Sequence, residues 1–147
     1  MKTILNRKAH YDYTILEEFI AGIVLQGSEV KSIREGHCNI SDAYCYIHNG
    51  ELFLKNCNIS KYKSDLFSNH DELADRKLLL TKKEIRTLNQ ELQKPGYTII
   101  PLKIFCTKNN LIKIEIGLCK GKHEYDKRES IKDRDSQREI DRVLKNY

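Results

Sequence analysis

The side chains of this chain best suited to nucleophilic, redox or metal chemistry are five cysteines and five histidines. They are Cys38, Cys45, Cys57, Cys106 and Cys119, and His10, His37, His48, His70 and His123. A zinc site needs closely spaced ligand pairs, and no two cysteines form a CxxC. Their odd number argues against a disulfide framework, so they are expected to be reduced, mostly structural thiols. The histidines are scattered, and there is no HExxH, GxSxG, GxGxxG or GxxxxGK[ST]. That does not exclude an enzyme, but it removes the common routes to metal, acyl-transfer and nucleotide chemistry. For an acid–base reaction, His10, His123 and Glu29 are the obvious candidates, and they lie in segments with no catalytic spacing. No catalytic residue, metal or cofactor is expected.

Charge points instead to binding. The chain has 147 residues, enough for one domain and a tail, and 39% of them are hydrophobic, enough for a core. It carries 26 basic and 21 acidic residues, a net charge of +5. Residues 1–70 hold eight of each sign, so the whole excess lies in 71–147. A basic half fits an anionic partner, though +5 alone does not establish one. No run approaches the roughly 18 apolar residues of a membrane span. The first seven residues, Met1-Lys2-Thr3-Ile4-Leu5-Asn6-Arg7, lack a signal-peptide core. A cytoplasmic, soluble monomer with no small-molecule substrate is expected.

The elements that must position these residues follow from periodicity. Residues 11–27 read as two short extended segments: Tyr11, Tyr13 and Ile15 alternate with polar neighbours, and 21–27 are more apolar. A short helix is expected over 28–36, with Ser28 as N-cap, Gly36 just past its end, and Lys31 and Arg34 on one face. Residues 43–59 read as a hairpin around Asn49-Gly50. Residues 60–76 read as a long polar loop. Thr81-Lys82-Lys83-Glu84 is a capping box for a helix with Ile85, Leu88 and Leu92 inward, ending at Lys94-Pro95-Gly96. Strands follow over 97–107 and through Ile112, Ile114, Ile116 and Leu118, with Pro101 marking an edge or a bulge. About six short curved strands and two inserted helices favour a mainly β fold, a small barrel of the OB type.

From Lys120 the character changes. Residues 120–147 hold nine basic and seven acidic residues and few apolar ones. Ile140, Val143, Leu144 and Tyr147 fall at i, i+3, i+4 and i+7, one helical face. The expectation is an OB-type barrel over 1–119. A basic tail over 120–147 would be disordered when free and helical against a partner.

Several blocks resemble one known family. Asn6-Arg7-Lys8-Ala9-His10-Tyr11-Asp12-Tyr13 is similar to the opening of the SmpB family (small protein B, or SsrA-binding protein). The run from Leu25-Gln26-Gly27-Ser28-Glu29-Val30-Lys31-Ser32-Ile33-Arg34-Glu35-Gly36 resembles its most diagnostic segment. Asn39-Ile40-Ser41-Asp42-Ala43-Tyr44 follows in place. Arg76-Lys77-Leu78-Leu79-Leu80 is similar to its lead-in to the second helix. Gly117-Leu118-Cys119-Lys120-Gly121-Lys122, Asp126-Lys127-Arg128 and Val143-Leu144-Lys145-Asn146 complete the order.

The resemblance implies an adaptor rather than an enzyme. Such a protein would bind the tRNA-like part of transfer-messenger RNA and bring it to stalled ribosomes. It maps an RNA-binding face onto Glu29, Lys31, Arg34 and Asn39. Arg7, Lys8, Lys77 and Lys122 are added as candidate phosphate contacts. Glu29 would accept hydrogen bonds from bases; its alternative is a carboxylate favoured at a helix start. In the tail, Gly121, Tyr125, Asp126, Lys127 and Arg128 match the segment implied to enter the decoding centre. Val143, Leu144 and Lys145 match the tail end, which with Ile140 on the same helical face is implied to follow into the empty messenger channel against small-subunit RNA. Tyr125 departs from the family, where many members carry His. A tyrosine keeps stacking but stays neutral near pH 7. The competing reading of the barrel is a general single-strand RNA-binding OB module.

Overall fold

The computed structural model describes residues 1–63 and 69–122. In chain order these form β1 (Ile4–Leu5), α1 (Ala9–Asp12), β2 (Tyr13–Ile23), α2 (Gly27–Arg34), β3 (Cys38–Asn39), β4 (Tyr44–His48), β5 (Glu51–Lys55), β6 (Asn58–Ile59), β7 (Arg76–Leu79), α3 (Lys82–Glu91), β8 (Tyr97–Cys106) and β9 (Ile112–Gly121). The strands pair in the order β8-β4-β5-β7-β2-β9, and β9 pairs back onto β8. The sheet therefore closes, which removes the exposed edges of an open sheet. β1 adds to β8 beside β4, and β3 with β6 forms a separate two-stranded ladder. This is the expected mainly β barrel with inserted short helices.

The local signals work where chemistry dictates the backbone. Asn49 and Gly50 both take positive φ, 51° and 74°, and His48 pairs with Glu51 across them, so the hairpin closes on a two-residue turn. The Thr81 hydroxyl accepts from the Glu84 N–H while the Glu84 carboxylate accepts from the Thr81 N–H, the expected capping box. Leu88 is fully buried and Ile85 and Leu92 pack beside it, so α3 seals the barrel core.

Other expectations change. β2 is one strand of 11 residues, not two segments, and Tyr11 belongs to α1. The register explains why the alternation misleads. Ile15 pairs with Cys119 and Glu17 with Leu118, so Leu16 is an extra residue in a bulge. Before it, Tyr13 and Ile15 pack on a small outer core of Ala9, Ile100 and Cys119; after it, Phe19, Ala21 and Ile23 face the barrel interior. A second bulge, between Pro101 and Lys103, does the same for β8: Ile100 and Leu102 face outward under α1, Ile104 inward. Gly117 sits between these bulges. A Cβ there would lie 3.1 Å from a Leu102 methyl and 3.2 Å from an Ile15 methyl, so the close approach needs glycine.

The lead-in to α3 is itself a strand, β7, because Leu78 must fill the core between β5 and β2. The hairpin's return strand stops at Lys55, where Asn56 takes φ 60°, and resumes as β6. The N-cap of α2 is Gln26, two residues before the expected Ser28. The expected barrel limit at 119 is also too short. β9 runs to Gly121, whose N–H donates to the Gly96 carbonyl, and the Lys122 N–H donates to the Asp12 carbonyl. The tail expectations for His123, Tyr125, Asp126, Lys127, Arg128, Ile140, Val143, Leu144 and Lys145 lie outside the described residues. Among the described residues, no helix is long and apolar enough to cross a membrane, and all five cysteines are free.

Candidate nucleic-acid interface

Short helices need tertiary support, since nucleation is costly and a single short segment gives little in return. In α2 that support is polar and buried. Gln26 and Glu29 form a reciprocal capping box, with Oε1 of Glu29 accepting from the Gln26 N–H at 2.9 Å. Its other oxygen, Oε2, accepts from Arg76 Nε at 2.6 Å. The two side chains are only 4% and 2% exposed. Nη1 of Arg76 donates to the Cys57 carbonyl at 2.6 Å, and Nη2 to the carbonyls of Asp71 and Glu72 at 3.0 and 3.2 Å. One guanidinium thus ties α2 to the β5–β6 connection and to the segment before β7. Its planar fork suits four acceptors in a way that an ammonium would not.

A second pin lies beside it. His70 is buried, and its Nε2 lies 2.8 Å from the Ile59 carbonyl, which can only accept. Nε2 therefore donates, and Nδ1 lies 2.8 Å from the Ser28 hydroxyl, from which it accepts in the neutral ring. A third is the Ser32 hydroxyl, which donates to the Ser60 carbonyl at 2.5 Å. Ile33, fully buried, completes the attachment. With Ser28, Glu29, Ser32 and Ile33 inward, helical spacing turns Lys31 and Arg34 to the surface, where both are exposed.

Glu29 is thus a correction. The resemblance implies that it reads bases, but its carboxylate is buried and both oxygens are engaged. It acts as the helix-start carboxylate and as the anchor for Arg76. In this position it fixes the start of α2 and, through Arg76, the direction in which the helix points.

The remaining expected residues fall into groups. Lys31 lies over the Tyr62 ring, 5.2 Å from its centroid. Arg34 donates to the Asn110 carbonyl in the β8–β9 turn at 3.3 Å. Asn39 is exposed, and its Oδ1 accepts from the Ser41 N–H at 2.8 Å, an Asx turn that shapes the β3–β4 loop. That loop also brings Asp42 to 4.0 Å from Lys8. Asn6 holds the neighbouring chain in place: its buried Nδ2 donates to the Pro101 and Ile40 carbonyls, leaving Arg7 and Lys8 exposed. Lys122 joins this end through its ammonium, which donates to the His10 carbonyl at 2.9 Å. So Arg7, Lys8, Asn39 and Lys122 cluster around α1 and the β3–β4 loop, while Lys31 and Arg34 form a second patch on α2. Lys77 belongs to neither; it is 3.4 Å from Glu51 on the outer face of β7.

Sequence reasoning missed an exposed apolar strip. Ile20 on β2 and Leu79 on β7 are 62% and 52% exposed, with Val24 exposed beside them. Gly22 pairs with Leu79, whose side chain leans over the glycine. Across β9 the same face carries Lys113 and Glu115, and on β8 Lys103 over the Phe105 ring. Apolar surface bordered by lysines suits unstacked bases and their phosphates. The signal was present, since Ile20 falls in phase with Glu18, but the bulge at Leu16 had to be known to fix which phase faces out.

Comparison with known proteins extends this picture. The SmpB protein family matches residues 3–146. The SsrA-binding protein of Ligilactobacillus salivarius is 54% identical over 142 residues, 97% of this chain and 91% of that protein. That of Flavobacterium johnsoniae is 48% identical over 144 residues, covering 98% and 95%. A solved structure described as "tmRNA-SmpB: a journey to the center of the bacterial ribosome" superposes with a TM-score of 0.70 at 38% identity, over 88% of this chain and 94% of that one.

Proposed function

The chain belongs to the SmpB family, and on that premise we propose that it is a transfer-messenger RNA-binding adaptor of trans-translation, acting by binding and not by catalysis. It binds the tRNA-like part of that RNA and brings it to stalled ribosomes in the bacterial cytoplasm, as a single copy. The observation that carries this is the rigid presentation of cations by α2. Lys31 and Arg34 are held outward by three buried polar pins, which is how a protein makes a defined patch from two flexible side chains.

Arg7, Lys8, Asn39 and Lys122 supply a second set of contacts, and the strip of Ile20, Val24 and Leu79 with Lys77 a stacking face. Acidic neighbours Asp42 and Glu51 temper Lys8 and Lys77, so α2 contributes most of the phosphate attraction. The tail from 123 onward enters the messenger channel. Gly121, at the end of β9, and Lys122 are the last described residues bonded to the barrel. Tyr125, Asp126, Lys127 and Arg128 sit in the decoding centre, with Ile140, Val143, Leu144 and Lys145 forming the apolar and basic helical part beyond.

A salt titration tests the α2 patch. Removing one cation from a phosphate flattens the plot of log K against log salt by about 0.7–0.9. The double change Lys31→Ala with Arg34→Ala should therefore lower the slope by about 1.4–1.8 and weaken binding of the structured RNA, with the fold intact by circular dichroism. An unchanged slope would remove α2 from the interface. Competition with unstructured RNA separates this function from a general single-strand binder: equal affinity for both would favour the latter.

A further inference from the structure

We propose that Cys38 and Cys57 form a peroxide-responsive dithiol site that closes into an intramolecular disulfide. The two Sγ atoms lie 3.7 Å apart beside the β3–β6 ladder. Cys38 pairs with Ile59, and Cys57 precedes Ile59 by two residues, so the alternation of strand side chains puts both sulfurs on one face. A disulfide needs a sulfur–sulfur distance of about 2.05 Å. The two residues are diagonal neighbours rather than directly opposite, so closing the gap takes rotation of both side chains and a shift of the backbone at Cys57, which lies just outside β6.

Access and reactivity are divided between the partners. Cys38 is partly exposed and can meet a small oxidant, whereas Cys57 is fully buried. The hydrogen bond between them holds the Cys57 thiol below its ordinary value, and the Arg76 guanidinium adds to this against the cost of burial. The same hydrogen bond, with burial, pushes the Cys38 thiol up. Arg76 also fixes the Cys57 backbone through its carbonyl. By contrast, burial pushes the Cys45 thiol up and the Cys119 thiol up to about 11, and neither has a thiol partner to share its proton.

The chemistry balances with hydrogen peroxide as the oxidant. The Cys38 sulfur gives up its proton as it attacks one peroxide oxygen, the O–O bond breaks, and the hydroxide that leaves takes that proton to become water, giving a sulfenic acid. The Cys57 sulfur then attacks the Cys38 sulfur, the S–O bond breaks, and the departing hydroxide takes up the Cys57 proton as a second water. Two thiols lose two electrons and two hydrogens; one peroxide becomes two waters. The bond would close the loop from 38 to 57 and brace the strand that carries Asn39. In a reducing cytoplasm the pair stays open and closes only under oxidant, as transient intracellular disulfides do.

The test is peptide mapping of the full-length protein after brief treatment with hydrogen peroxide, alkylation and digestion without reductant. The expected product joins the Cys38 and Cys57 peptides, about 2 Da lighter than the two thiols, is reversed by dithiothreitol, and raises the thermal midpoint of the oxidised protein above that of the reduced one. Cys38→Ser should abolish the link, and Cys106→Ser should leave it. With Cys57→Ser, Cys38 should stop at a sulfenic acid that a dimedone probe captures; if that variant does not fold, the wild-type map decides alone. Oxidation of Cys38 with Cys57 still alkylatable after denaturation, or linkage through Cys106 between copies, would overturn the proposal.

Discussion

Replacing Arg76 with alanine is expected to destabilise the barrel by about 3–5 kcal/mol, the cost of breaking a buried ion pair by removing one partner. The change leaves the Glu29 carboxylate buried without its cation and strips donors from the Cys57, Asp71 and Glu72 carbonyls. Arg76→Lys should recover only part of this, because one ammonium cannot span the four acceptors. Removing both charges, as in Glu29→Gln with Arg76→Met, should cost less than the sum of the single changes, since neither charge is then stranded. Urea denaturation followed by circular dichroism reads every variant; the chain has no tryptophan to report by fluorescence. The variants that stay folded should also lose RNA affinity, because α2 no longer holds Lys31 and Arg34 in one place. A destabilisation below about 1 kcal/mol, the scale of an exposed pair, would mean that Arg76 does not clamp α2.

Ending the chain after Lys122 is the second large effect, and it acts on function alone. The last described barrel contacts are made by Gly121 and Lys122, to Gly96, Asp12 and His10. A chain of residues 1–122 should therefore keep its melting behaviour and bind the structured RNA nearly as well as the full protein. It should nevertheless fail to support tagging of stalled chains, because the segment proposed for the messenger channel is gone. Within that segment, Tyr125→His should leave activity unchanged if the ring acts by stacking, and should alter its pH profile near neutrality if protonation is used. Normal tagging by the shortened chain would refute the role of the tail.

How much of this was legible in the sequence depends on the range of the interaction. The Asn49-Gly50 turn, the Thr81–Glu84 box and the alternation in β9 are local, and each is readable because neighbouring residues decide it. The clamp on α2 is not. Glu29 and Arg76 are 47 positions apart and Ser28 and His70 are 42 apart, so nothing near Glu29 reveals that its charge is buried. An acidic residue beside two basic ones on a short helix looks like surface, and the contact role for Glu29 rests on the family resemblance alone. The strip of Ile20 and Leu79 is hidden for a related reason. Period-2 reasoning assigns faces only within one register, and the bulge at Leu16 shifts the phase midway along β2. Net charge is the weakest guide: the excess lies after residue 70, yet the best-positioned cations sit in the neutral half.

Recognition of one structured RNA underlies every role proposed for these residues. It is read by sequencing the RNA recovered with the affinity-tagged, full-length protein from a lysate of its own kind of cell. One dominant species with a tRNA-like end is expected, strongly depleted when Lys31 and Arg34 are both alanine. A broad population of unstructured transcripts, insensitive to those two residues, would contradict the adaptor role.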